Sequence, residues 1–187
     1  MQDRTQETEM GERLADSTEP RVWVGCLACY NAGRLTGEWV DALEAAAFVP
    51  CTLVDYGGPH EEFWVMDHEN FQGFLKGECS PTEAQETAEV MSEIEESGLP
   101  LEAVALWVAN VGVDLHDLDR RAVEEAYEGE WDTEQEFAQE FAQEVAELDD
   151  AVWPLTYIDW ESATRELMCD YTSLRSGSGR VYIFRDL

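Results

Sequence analysis

Lysine is almost missing from this chain. Lys76 is the single lysine, beside ten arginines, against 42 aspartates and glutamates in 187 residues, for a formal net charge of -31. Such a surface repels nucleic acid and anionic lipid and attracts basic partners or cations. Long apolar runs are missing too. No stretch approaches the ~18 apolar residues of a membrane span, and the first twenty residues hold no apolar core of a signal peptide. Cysteine is sparse: Cys26, Cys29, Cys51, Cys79 and Cys169 are odd in number and form no disulfide framework. Reduced thiols in a cytoplasmic protein are the expectation. No Gly-rich phosphate loop with its lysine occurs, and no nucleophile elbow or triad signature.

Aromatics, by contrast, are plentiful: seven Trp, seven Phe and six Tyr. Disordered acidic tails lack them. The chain is therefore core-forming, with an abnormal surface. A small domain needs a net charge of only about 2–8 for solubility, so the excess calls for another reason.

Element signals predict an α+β protein. Residues 1–20 read as a mobile arm. "RVWVGCLACY" reads as a strand, and "NAGRLTGEWVDALEAAAF" as a turn and a helix with Trp39, Leu43 and Ala47 on one face. A further strand starts near Phe63, giving an N-terminal α+β domain over 21–79. Ser80, Pro81 and Glu83 open a capped helix that Gly98 and Pro100 close. A more apolar helix stops at Gly112 and a third follows, making a helical middle domain over 80–126. The remainder, 127–187, reads as a C-terminal α+β domain. It has an acidic helix from about Thr133, a short strand, a helix capped by Asp159 and a closing hairpin.

The acidic segment is the most unusual. Glu124 to Asp150 holds twelve carboxylates and no basic residue: Glu124, Glu125, Glu128, Glu130, Asp132, Glu134, Glu136, Glu140, Glu144, Glu147, Asp149 and Asp150. Its "EFAQ-EFAQ-EVAE" repeat nearly matches the helical turn, so Phe137, Phe141, Val145 and Leu148 form one stripe and Glu136, Glu140, Glu144 and Glu147 another. Like charges at i,i+4 cost a few tenths of a kcal/mol each. As one helix the segment would span about 40 Å, or roughly one charge per 3.4 Å, the phosphate spacing of one DNA strand, but Gly129 and its neighbours are expected to interrupt it and not all twelve acids face one side. Bases are also absent from Gly77 to Asp119 and from Ala122 to Thr164. An anionic array able to stand in for DNA is one reading. A solvated acidic face, as on halophilic proteins, is the other.

Metal and redox chemistry find little support in the spacing. Cys26-Leu-Ala-Cys29 is a lone pair on a strand-like run, where alternation points its cysteines to different faces, and His60, His68 and His116 supply no matching pair. Packing cysteines, no metal and no cofactor are expected. His60-Glu61-Glu62 and Asp67-His68-Glu69 offer metal-binding side chains, but adjacent residues on a strand point opposite ways, so Asp67-His68-Glu69 is a poor chelate, and Asp114, Asp117 and Asp119 lack EF-hand spacing.

Four stretches carry a resemblance. "RVWVGCLACYNAGRLTGEWVDA" (21–42), "EEAYEGEWDTEQEFAQEF", "YIDWESATREL" and "GRVYIFRDL" stand in the order and at the spacing of motifs in the ArdA antirestriction proteins, and the similarity covers about Pro20 to Leu187. The resemblance implies a non-enzymatic DNA mimic, encoded on mobile elements, that occupies the DNA-binding groove of type I restriction-modification enzymes, chiefly the methyltransferase core with its specificity subunit. It implies an elongated homodimer of three small domains per subunit, joined through the C-terminal domains. The acids from Glu124 to Asp150 become the partner-binding surface. Tyr30, Asn31, Gly33 and Arg34 match the N-terminal signature, read as a glycine turn within a buried polar network. Two alternatives stand beside it: a carboxylate-metal enzyme, which would turn over and need a divalent ion, and an acidic chaperone, which would bind basic proteins indiscriminately.

Overall fold

The computed structural model describes residues 18–55, 58–146 and 157–186. They fall into two compact units divided between Ser92 and Glu93.

The first unit is built on β1 (Arg21–Cys26), the centre of an antiparallel sheet between β2 (Gly37–Asp41) and β5 (Phe63–Glu69). Val22 and Val24 alternate inward and, with Val65 of β5, are fully buried. That is the two-residue period of a half-covered strand. Two sequence expectations fail here. The strand stops at Cys26, and a five-residue helix, α1 (Leu27–Asn31), follows at once. Trp39 lies on β2 opposite Trp23 rather than on a helix. Asp41 then caps only a 3-10 turn, Ala42–Ala47, by accepting a hydrogen bond from the Leu43 N–H at 2.9 Å. The alanine-rich composition favours helix, but pairing with β1 claims the preceding residues. Two-residue strands β3 (Val54–Asp55) and β4 (Gly58–Pro59) pair with each other.

Helix α2 (Pro81–Glu96) starts as its punctuation predicts, with the Glu83 N–H donating to Ser80 Oγ at 3.1 Å. Ala84, Ala88, Met91 and Ile94 form its buried face. Helix α3 (Leu101–Val111) ends at Gly112, which adopts φ 76° and donates its N–H to Val108 O at 2.9 Å. A Cβ there would meet nothing within 4 Å, so only backbone strain opposes a side chain. Gly112→Ala should cost about 1–2 kcal/mol, read as a lower urea midpoint with an unchanged slope.

In the second unit α4 (Arg120–Ala126) leads directly into β6 (Tyr127–Trp131), and the sheet order is β6-β8-β7, with β7 Tyr171–Arg175 and β8 Val181–Arg185. The closing hairpin forms as expected, and its second strand is central. Val181, Tyr182, Ile183 and Phe184 are all buried, as an apolar run covered on both faces must be. Val181 and Ile183 pack against Phe137 of α5 (Glu134–Ala146), with Trp131, Phe141, Leu167, Met168 and Tyr171 around them. Tyr182 and Phe184 face α3. Trp107 lies 6.4 Å from the Phe184 ring, and the Tyr182 hydroxyl donates to Glu102 at 3.0 Å. Burial, then this carboxylate, hold the Tyr182 phenol above its usual pKa. Helix α6 (Trp160–Leu167) begins at Asp159, which accepts from the Ser162 N–H at 3.2 Å. The short strand expected before it falls largely on residues 154–156, which lie outside the described residues; Tyr157 sits in a 3-10 turn. Among the described residues, no helix is long and apolar enough to cross a membrane.

Candidate functional site

The acidic segment is not one helix. Glu124 and Glu125 end α4, Glu128 and Glu130 sit on β6, and Glu134, Glu136, Glu140 and Glu144 lie on α5. The interruption expected around Gly129 is present, and the even spacing along a single 40 Å rod does not form: Tyr127–Trp131 pairs with β8, around Gly129 at φ 140°. Glu147, Asp149 and Asp150, with Leu148, lie outside the described residues.

Counter-ions missing from the local sequence arrive through the fold. One pairing is local, Arg121 with Glu125 one helical turn on at 3.4 Å, and the others are remote. Arg180 reaches Asp132 at 2.9 Å and Glu130 at 3.4 Å, and Arg185 reaches Glu128 at 3.4 Å. Glu134, Glu136, Glu140 and Glu144 have no arginine or lysine at ion-pair distance among the described residues. Neutral donors position two of them. Trp131 Nε1–H donates to Glu140 at 2.8 Å, and the Asp132 N–H donates to Glu136 at 2.8 Å. These bonds orient the carboxylates without cancelling their charge. Thr133 caps the helix by accepting from the Glu136 N–H at 3.1 Å, and early carboxylates suit the positive end of the helix dipole. The expected apolar stripe holds at Phe137 and weakens outward: Phe141 is half-buried and Val145 is 68% exposed.

The signature residues form a turn and no buried network. Gly33 adopts φ 75°, its N–H donates to Tyr30 O at 2.9 Å, and the Arg34 N–H donates to Cys29 O at 2.9 Å. The side chains of Tyr30, Asn31 and Arg34 are exposed.

A second constellation went unread in the sequence. Cys26 is the N-cap of α1 and Cys29 lies in its first turn, so both sulfurs turn to the same side. Cys51 and His60 close on them. His60 Nδ1 lies 3.4 Å from Cys26 Sγ, 3.4 Å from Cys29 Sγ and 3.5 Å from Cys51 Sγ, and Cys29 Sγ lies 3.6 Å from Cys51 Sγ. All four residues are buried, and their donor atoms lie within 4.8 Å of one another. A hydrogen bond from Thr36 holds the Cys29 thiol down to about 6, while burial pushes the Cys26 thiol up. The Asp67-His68-Glu69 and Asp114-Asp117-Asp119 groups form no such cluster among the described residues.

Fold and surface together define an acidic α+β protein that presents an unneutralised anionic helix. The family model described as "Antirestriction protein (ArdA)" matches residues 22–181. The chain belongs to the ArdA antirestriction protein family. No curated protein matches it.

Proposed function

We propose that the chain inhibits type I restriction-modification enzymes as a DNA mimic, its carboxylates replacing phosphates in the groove formed by the methyltransferase and specificity subunits. One observation carries this reading: Glu136, Glu140 and Glu144 stand one turn apart on a packed helix, with Glu134 in its first turn, and none of the four has a cationic partner among the described residues, an arrangement that costs stability unless a basic surface receives it. Family membership supports the antirestriction role. A rigid helix saves the entropy of ordering charges at the moment of binding.

Inhibition here is binding and displacement, not turnover. The partner's lysines and arginines meet carboxylates in place of phosphates, so DNA and the inhibitor exclude each other. Charge is shared among many groups, so single Glu→Gln changes do little. The same reading includes a homodimer joined through the C-terminal domains, a division into three domains, a cytoplasmic setting and an origin on mobile elements.

The test is competition. Increasing amounts of the full chain should displace a labelled DNA duplex from a purified type I methyltransferase, with affinity falling steeply as salt rises. Failure to displace DNA at low salt sinks the proposal. Equal binding to unrelated basic proteins such as histones favours the acidic chaperone.

A further inference from the structure

Three thiols converging on one ring nitrogen are more than hydrogen bonding can use. His60 Nδ1 can accept one hydrogen bond or donate one, yet Cys26, Cys29 and Cys51 all approach it within 3.5 Å. A cation at the centre satisfies all four. Tetrahedral zinc has Zn–S near 2.3 Å and Zn–N near 2.0–2.1 Å, which places sulfur about 3.6 Å from nitrogen and about 3.8 Å from sulfur. The cluster shows 3.4–3.5 Å for the three sulfur–nitrogen separations and 3.6 Å between the Cys29 and Cys51 sulfurs, with all four donor atoms within 4.8 Å of one another. We propose that Cys26, Cys29, Cys51 and His60 form a structural zinc site in the first unit.

The surroundings suit that ion. The Cys29 N–H donates to Cys26 Sγ at 3.4 Å, the kind of outer contact that steadies a metal-bound thiolate. Cysteines and histidine fill all four positions, the closed set of a structural centre rather than a catalytic one. All three cysteines bind Zn(II) as thiolates, and whatever protons their thiols still carry are released to solvent. The imidazole stays neutral, with its hydrogen on Nε2. The centre then carries a single negative charge, far cheaper to bury than three bare thiolates.

The ion would join four separate points: the end of β1, the first turn of α1, the loop before β3 and the residue after β4. β3 and β4 are two residues long, too short to hold themselves. The exposed turn over Tyr30–Arg34 follows Cys29 directly, so the centre would also fix its base. None of this depends on the inhibitory role.

The full chain, purified under reducing conditions from zinc-supplemented cells, should carry one zinc per chain by elemental analysis. Replacing it with Co(II) should give the intense visible bands of a tetrahedral ion and a thiolate-to-cobalt charge-transfer band. Cys169→Ser, which alters an exposed thiol, should keep both; Cys51→Ser should lose them. His60→Cys should keep a tetrahedral ion with stronger charge-transfer absorption, which guards against Cys51→Ser simply failing to fold. A strong chelator should lower the melting temperature of the parent chain and open Cys26, Cys29 and Cys51 to thiol reagents. Zinc well below one per chain, an octahedral cobalt spectrum, or full zinc retention in Cys51→Ser would each overturn the assignment.

Discussion

Glutamine at Glu134, Glu136, Glu140 and Glu144 together is expected to weaken binding to a type I methyltransferase by about 30- to 1,000-fold at low salt. Exposed ion pairs contribute up to about 1 kcal/mol each, so four removed charges amount to about 2–4 kcal/mol. The salt dependence should flatten as well. Each lost phosphate-like contact reduces the slope of log K against log salt by up to about 0.9, so four lower it by as much as about 3.6. Fold should survive the change. Glutamine can still accept from Trp131 Nε1–H and the Asp132 N–H, and relief of i,i+4 repulsion offsets the lost helix-dipole interaction at Glu134 and Glu136. The arginine-paired acids give an internal contrast. Changing Glu130 and Asp132 to their amides should cost less per charge, because Arg180 already offsets about half of their combined charge. The readout is a DNA-competition titration at several salt concentrations, with circular dichroism to verify the fold. An unchanged slope in the fourfold variant removes α5 from the interface.

Phe137→Ala is expected to destabilise the second unit by about 3–5 kcal/mol, the usual cost of deleting a buried phenylalanine. Its ring is 3% exposed and lies 4.8 Å from Trp131, 5.0 Å from Tyr171 and 5.9 Å from Phe141, over Val181 and Ile183 of the central strand. At about 2–4 °C per kcal/mol for a chain of this length, the melting temperature should fall by roughly 6–20 °C. Inhibition should be lost near the lowered transition, because this ring fastens the acidic helix to the sheet. Val145→Ala occupies the same helical column two turns later and should change stability by less than about 0.5 kcal/mol, its side chain being 68% exposed. Urea unfolding of both variants decides the matter. A loss below about 1 kcal/mol at Phe137 means that something other than this ring anchors α5.

The strongest local signals in the chain translated directly into structure. Ser80, Gly112, Thr133 and Asp159 bound helices where their side chains or backbone freedom predict, because a cap acts on the nearest backbone groups and needs no distant partner. β1, β5 and the closing hairpin were legible from alternation and turn chemistry. The acidic character of α5 was legible from composition alone, since no neighbouring residue of opposite sign can hide it.

Local sequence misled wherever a remote segment had the stronger claim. Alanine-rich residues after Trp39 favour helix, but Trp39 itself is held in β2 by pairing with β1. The run from Glu124 to Asp150 reads as lacking counter-ions, yet Arg180 and Arg185, delivered by the last strand, reach three of its acids. Cys26 and Cys29 read as strand neighbours on opposite faces. A helix of five residues, too short to show a period, turns them to one side, where Cys51 and His60 join them.

The residues alone determined the charge, its sign, the capped helix ends and the family. Tertiary structure decided which carboxylates remain unneutralised and which thiols share one centre. The physical reason is range: capping and periodicity act over one helical turn, whereas ion pairing and metal-type coordination are set by distances between atoms that only the folded chain brings together.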